Sequence, residues 1–186
     1  AFAAQTAPRP HADPDFYVVQ QHWFGSDSLQ TERALTSICR RQDFAPLYHY
    51  SQFTNVQQTL TEAYNFRADS VVTADTVKTD RPYFAQALAT PTFNWELDLE
   101  LFPLLPLKNG KTLVLNLYHP GAALAPSYFT YTVKGQDDLV LYNGRKAHCW
   151  VLSIDYGKGN YAVWWISTAT ATGVISYTQR RSPFMI

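Results

Sequence analysis

The chain is predicted to be mostly β: a single strongly curved antiparallel sheet of about ten strands, a half-barrel or open barrel, with one short helix. Three observations lead there. Residues 128–177 alternate apolar and polar side chains in short runs broken by Gly, Asn and Asp, the pattern of an antiparallel meander. Aromatic residues make up 15% of the 186, with twelve Tyr, eleven Phe and five Trp, a bias that suits pleated faces. The same two-residue period recurs over most of the chain upstream, and so many strands in one sheet must curl, close or split into two layers. A bent sheet wrapped around one helix is the economical solution, with a concave face filled either by that helix or by a ligand.

Residues 1–14 read as a flexible leader ahead of a single β domain, 15–186. Ala1-Phe2-Ala3 has the small-x-small form that precedes a signal-peptidase cut, with Ala4-Gln5 following, so an extracytoplasmic location (periplasmic or secreted) is expected. In residues 16–24, Tyr17, Val19 and Trp23 share one strand face, and Gly25-Ser26-Asp27-Ser28 turns the chain into a second strand, 29–40. Asp43-Phe44-Ala45-Pro46 is a corner. Strands over 47–53, 59–66 and 70–77 follow, joined by the polar connections 67–69 and 78–82.

Residues 93–105 fit two periods. Trp95, Leu97, Leu99 and Leu101 alternate with Glu96, Asp98 and Glu100 as in a strand, while Phe93, Leu97, Leu101 and Leu104 form a helical stripe. A helix over 94–102 is preferred, with Asn94 as N-cap, acidic residues in its first turns, and Pro103 or Pro106 ending it. Lys108-Asn109-Gly110-Lys111 then opens a hairpin into strand 112–118, with Leu113, Leu115 and Leu117 inward. Beyond it, Gly135-Gln136-Asp137-Asp138 reads as a turn, and Asn143-Gly144 as a type I′ hairpin. Trp164 and Trp165 must point to opposite faces of their strand.

The chemistry is sparse. Fifteen basic and fifteen acidic residues cancel, leaving no net field to draw in nucleic acid, and no nucleic-acid partner is expected. No run of about 20 apolar residues is present, so no transmembrane segment is expected. His11, His22, His49, His119 and His148 are too widely spaced to make a local metal motif, and neither metal nor cofactor is expected. His119-Pro120-Gly121 opens a Pro/Gly/Ala-rich loop and is best read as a turn. No G-x-S-x-G elbow occurs; Ser26, Ser28, Ser70 and Ser127 sit in ordinary contexts, and Glu96, Asp98 and Glu100 suit a solvated face, so no enzymatic activity is expected. Cys39 and Cys149 could close a long loop as a disulfide in an exported chain, but two unpaired thiols are the preferred reading, since Cys149 lies in an apolar strand.

The order of Leu105-Pro106-Leu107, Gly110-Lys111, Tyr118-His119-Pro120-Gly121, Tyr131-Thr132-Val133-Lys134-Gly135, Cys149-Trp150-Val151-Leu152 and Trp164-Trp165-Ile166-Ser167 resembles exported bacterial proteins of the domain-of-unknown-function 3108 type. The resemblance is best over residues 90–180 and implies an extracytoplasmic half-barrel, like that of periplasmic lipoprotein carriers, with a helix in or across its mouth. One departure is the tail from Arg180 to Ile186, which lacks the additional strand such a sheet would carry. The expected function is non-catalytic binding of a lipid or other hydrophobic molecule in the concave face, lined by Phe129, Tyr131, Trp150, Leu152 and Trp165, with Trp95 and Leu99 opposite. The alternative is a cell-envelope or carbohydrate-contacting module using exposed aromatics, which a filled interior would favour.

Overall fold

The computed structural model describes residues 3–6, 15–25, 31–169 and 174–180, with side chains for 15–25 and 31–169. His11, the 26–28 turn and the tail beyond Arg180 lie outside the described residues. The fold is mostly β with one short helix, as expected, but the strands form two antiparallel sheets rather than one, and only the second curls strongly into a half-barrel. The chain builds two compact units, Ala1–Trp95 with Tyr118–Pro126, and Glu96–Leu117 with Ser127–Ile186.

The first sheet runs in sequence order: β1 (Ala3–Thr6), β2 (Phe16–Phe24), β3 (Glu32–Arg40), β4 (Pro46–Thr54), β5 (Thr59–Phe66), β6 (Ser70–Thr73) and β7 (Ala85–Ala87). The leader therefore includes a strand, paired along β2. The strand expected over 70–77 stops at Thr73, where the chain leaves the sheet. On the buried face, one cross-strand row reads Val19, Ser37, His49, Tyr64, Thr73, and the next reads Gln21, Leu35, Ser51, Glu62. Directly opposed residues share a face, so Ser37, His49, Tyr64 and Thr73 set polar groups side by side across four strands, β3 to β6.

After the two-residue β8 (Phe93–Asn94), a 3-10 turn (Trp95–Leu97) leads into α1 (Asp98–Leu101) and a second 3-10 turn (Phe102–Leu104). The helix is shorter than expected and starts later. Asn94 does not cap it, because its amide is used elsewhere, as described below; the N-cap is Leu97, without a side-chain cap. Leu97, Leu101 and Phe102 are buried, whereas Leu104, assigned to the stripe, is 54% exposed.

The second sheet continues with β9 (Thr112–Tyr118), β10 (Ser127–Val140), β11 (Lys146–Gly157), β12 (Asn160–Ser167) and β13 (Val174–Arg180), each paired with its neighbour in turn. Gly135 to Asp138 is no turn. It lies inside the fourteen-residue β10, where Gly135, at φ +135°, forms a bulge opposite Val151. The type I′ turn also falls elsewhere. Only Gly144 of Asn143-Gly144 has positive φ, while Lys158 and Gly159 both do, so the two-residue I′ loop joins β11 to β12.

Candidate functional site

Leu113, Leu115 and Leu117 point inward as expected, joined on the same face by Tyr131, Val133, Leu152, Ile154, Trp164 and Ile166. Phe102 fills the middle of this face. Its ring meets Tyr131 at 5.1 Å and Trp164 at 4.9 Å, both edge-on, with Tyr131 and Trp164 5.7 Å apart. Of the residues expected to line a ligand there, Tyr131 and Leu152 are fully buried in protein packing, while Phe129 and Trp150 are partly buried. Trp95 and Leu99 are partly buried on the 3-10 turn and α1. Trp165 belongs to the opposite face; the inward indole is Trp164, 2% exposed. The interior is thus filled by the protein's own Phe102.

The opposite face of this sheet carries a groove of about 550 Å³ lined by Thr130, Thr132, Lys134, Ser153, Asp155 and Tyr161 among others. At the far end of β10 the exposed Asp138 takes a hydrogen bond from His148 (2.9 Å) with Lys146 at 3.6 Å. The His148 bond and then the Lys146 charge hold the Asp138 carboxyl below its usual range.

In the first unit, three buried polar side chains meet. Asn94 Nδ2 donates to His49 Nδ1 (3.1 Å), and Ser37 Oγ lies 2.8 Å from the same nitrogen. An Nδ1 that accepts leaves the imidazole proton on Nε2. A serine beside an imidazole resembles a nucleophile and base, but each of these residues is at most 2% exposed, and the arrangement works as a polar knot in the sheet. His22 bonds Glu32 and His148 bonds Asp138, so the histidines do not converge. Among the described residues no group of three or more His, Cys, Asp and Glu could hold a metal ion.

The most developed surface feature of this unit surrounds residues 75–84. Arg81-Pro82-Tyr83-Phe84 is a tight turn with proline at its second position and Tyr83 at φ +70°, the place of glycine in a type II turn. Thr73 braces the turn: its hydroxyl donates to the Arg81 carbonyl and accepts the Phe84 amide, both at 2.8 Å. Asp80 adds a second brace, taking the Thr61 amide at 2.6 Å while its own amide donates to the Thr61 carbonyl at 2.8 Å. Arg81 donates Nη1 to the Gly121 carbonyl and pairs with Glu62 at 3.3 Å. Behind the turn Phe84 packs edge-on against Tyr64 at 5.2 Å, in a cluster with Phe66, Val71, Leu88 and Tyr118. Burial pushes the Tyr64 and Tyr118 hydroxyls up to about 12. Tyr118 donates to the Ala122 carbonyl at 2.9 Å, and Gly121 lies so close to the Tyr64 hydroxyl that any Cβ there would collide with it.

This scaffold borders a shallow, open groove of about 770 Å³ with a mainly apolar lining, Val72, Ala74, Val77, Pro82, Phe84 and Ala85, of which Val77, Pro82 and Ala85 are themselves exposed. Tyr83, 96% exposed, stands at its edge, and Arg67, Lys78 and Asp75 border it. The alternation of residues 70–77 is that of a strand and the polar residues 78–82 are those of a plain connection, so neither segment signals this site. The signal available was Pro82, which fixes the second position of a turn but says nothing of Tyr83 in the third.

The family described as Protein of unknown function (DUF3108) matches residues 4–180. The chain belongs to the DUF3108 family. A crystal structure of a DUF1089 family protein from Pseudomonas aeruginosa is similar to this DUF3108 chain, at 14% identity over 95% of this chain and 89% of that one, with a TM-score of 0.51, a likeness of fold alone. No curated protein matches this DUF3108 sequence. Among the described residues, no helix is long and apolar enough to cross a membrane.

Proposed function

We infer that the protein is a non-catalytic binder of a hydrophobic molecule, and that the ligand lies in the groove of the first unit rather than in the curved sheet. The observation that carries this reading is the braced turn at Thr73 and Arg81, which fixes a tyrosine in a backbone conformation costly for a bulky side chain beside an apolar trough. Such strain persists where the surroundings impose it and clusters at ligand sites. Work outside the cytoplasm is part of the proposal.

Native mass spectrometry of the protein purified from its expression host, with extraction of bound lipid, tests the reading. A stoichiometric hydrophobic adduct lost in Val77→Asn supports it. No adduct, and no binding of a fatty-acid and phospholipid panel, would sink it.

A second reading has its own observation: the groove on the second sheet, where the hydroxyls of Thr130, Thr132, Ser153 and Tyr161 sit with Asp155 and Lys134. That lining suits a polyhydroxylated ligand such as a carbohydrate. Retention on a glycan array that Tyr161→Ala abolishes would favour it.

A further inference from the structure

We propose that the groove's ligand is a monomeric single-chain amphiphile with an anionic head, held by Arg67 and Lys78. The inference rests on the binding function just proposed and names its ligand class. Arg67 lies in the turn between β5 and β6, its amide bonded to the Ser70 carbonyl at 2.8 Å, and Lys78 lies in the 75–84 loop. Both side chains are exposed at the groove, and among the described residues neither has an ion-pair partner. The arginine beside them is committed: Arg81 pairs with Glu62 and donates to the Gly121 carbonyl. With Asp75 as the single acid on the lining, the rim carries one net positive charge in a chain whose total is zero.

An apolar trough edged by two cations matches a molecule with one charged end and one hydrocarbon chain. The chain covers Val72, Val77, Pro82 and Phe84, and Tyr83 lies along it with its ring against the hydrocarbon and its hydroxyl in water. Guanidinium and ammonium groups then border the trough from two separate loops. Their contribution is that of exposed ion pairs, modest and screened by salt over about 8 Å at physiological ionic strength.

The test is calorimetric titration of the full chain with dodecanoate and with dodecanol, both kept below aggregation, and co-sedimentation with phosphatidylglycerol vesicles. Dodecanoate is expected to bind at least about threefold more tightly than dodecanol, the margin two exposed ion pairs provide. That preference should vanish in the Arg67→Gln/Lys78→Gln double variant and shrink at high salt, while Val77→Asn weakens both ligands. Equal binding of the two compounds, or a preference that survives in the double variant, overturns the anionic head and leaves the hydrophobic binding function standing. Binding of neither overturns both. Vesicle binding without monomer binding overturns the proposal in favour of a membrane-docking surface.

Discussion

The Thr73 hydroxyl accepts the Phe84 amide and donates to the Arg81 carbonyl, both at 2.8 Å, and so braces the turn from Arg81 to Phe84. Thr73 ends the cross-strand row that begins at Val19, which ties the groove's backbone to the buried face of the first sheet. Thr73→Val keeps the shape of the side chain and removes both of these bonds. It is expected to cost about 1–2 kcal/mol in urea unfolding and to weaken ligand binding.

Tyr83→Gly should separate stability from binding. Glycine adopts φ +70° freely, so the variant is expected to gain about 1 kcal/mol while losing affinity for hydrophobic ligands. A variant that loses stability instead would show that Tyr83 is held by packing rather than imposed by the turn.

Gly121→Ala is expected to destabilise by more than about 2 kcal/mol, since φ +80° disfavours any side chain and the new methyl collides with the Tyr64 ring end. Tyr64→Phe alone should change stability by less than about 1 kcal/mol, because the buried hydroxyl makes no well-formed hydrogen bond. In the double variant the loss should be smaller than in Gly121→Ala, as thermal unfolding will show.

The knot at His49 gives a fourth expectation. Asn94→Ala removes a donor from a buried imidazole nitrogen and should cost about 1–3 kcal/mol, with Ser37→Ala similar and the pair less than additive.

Asp98 supplies the pH dependence. Burial first, then the Glu100 charge, raises its carboxyl from 3.8 to about 7. Between those values the folded state holds a proton that the unfolded state has released, so stability falls as pH rises from about 4 to about 7. Asp98→Asn should flatten that slope and raise stability at pH 8 by on the order of 2 kcal/mol, measured as denaturation midpoints across pH.

Strand positions and facings were largely legible, because a period of two is a local property: β5 and β9 fall where the alternation placed them, and Val19 and Leu115 face inward. The number of sheets was not, since pairing partners are set by contacts distant in sequence. Alternation sent Trp164 and Trp165 to opposite faces without saying which was inside. Gly135 signals a departure from regular backbone in either a turn or a bulge, and only the partner strand distinguishes them. Asn94 carries the preferences of an N-cap, yet two residues far along the chain, Ser37 and His49, claim its amide. The groove escaped notice for the same reason: Thr73 and Arg81 are unremarkable until the fold brings them together.

Cys39 and Cys149 are buried thiols, one in each compact unit. Burial, with the charges of Asp138 and Asp137, also pushes the Cys149 thiol up, so little reactive thiolate exists in the closed state. A thiol reagent can therefore reach either sulfur only when its surroundings open. Each cysteine is a native clock for the breathing of its own half of the sequence, and alkylation followed by peptide mapping would time the two separately in the unmodified protein.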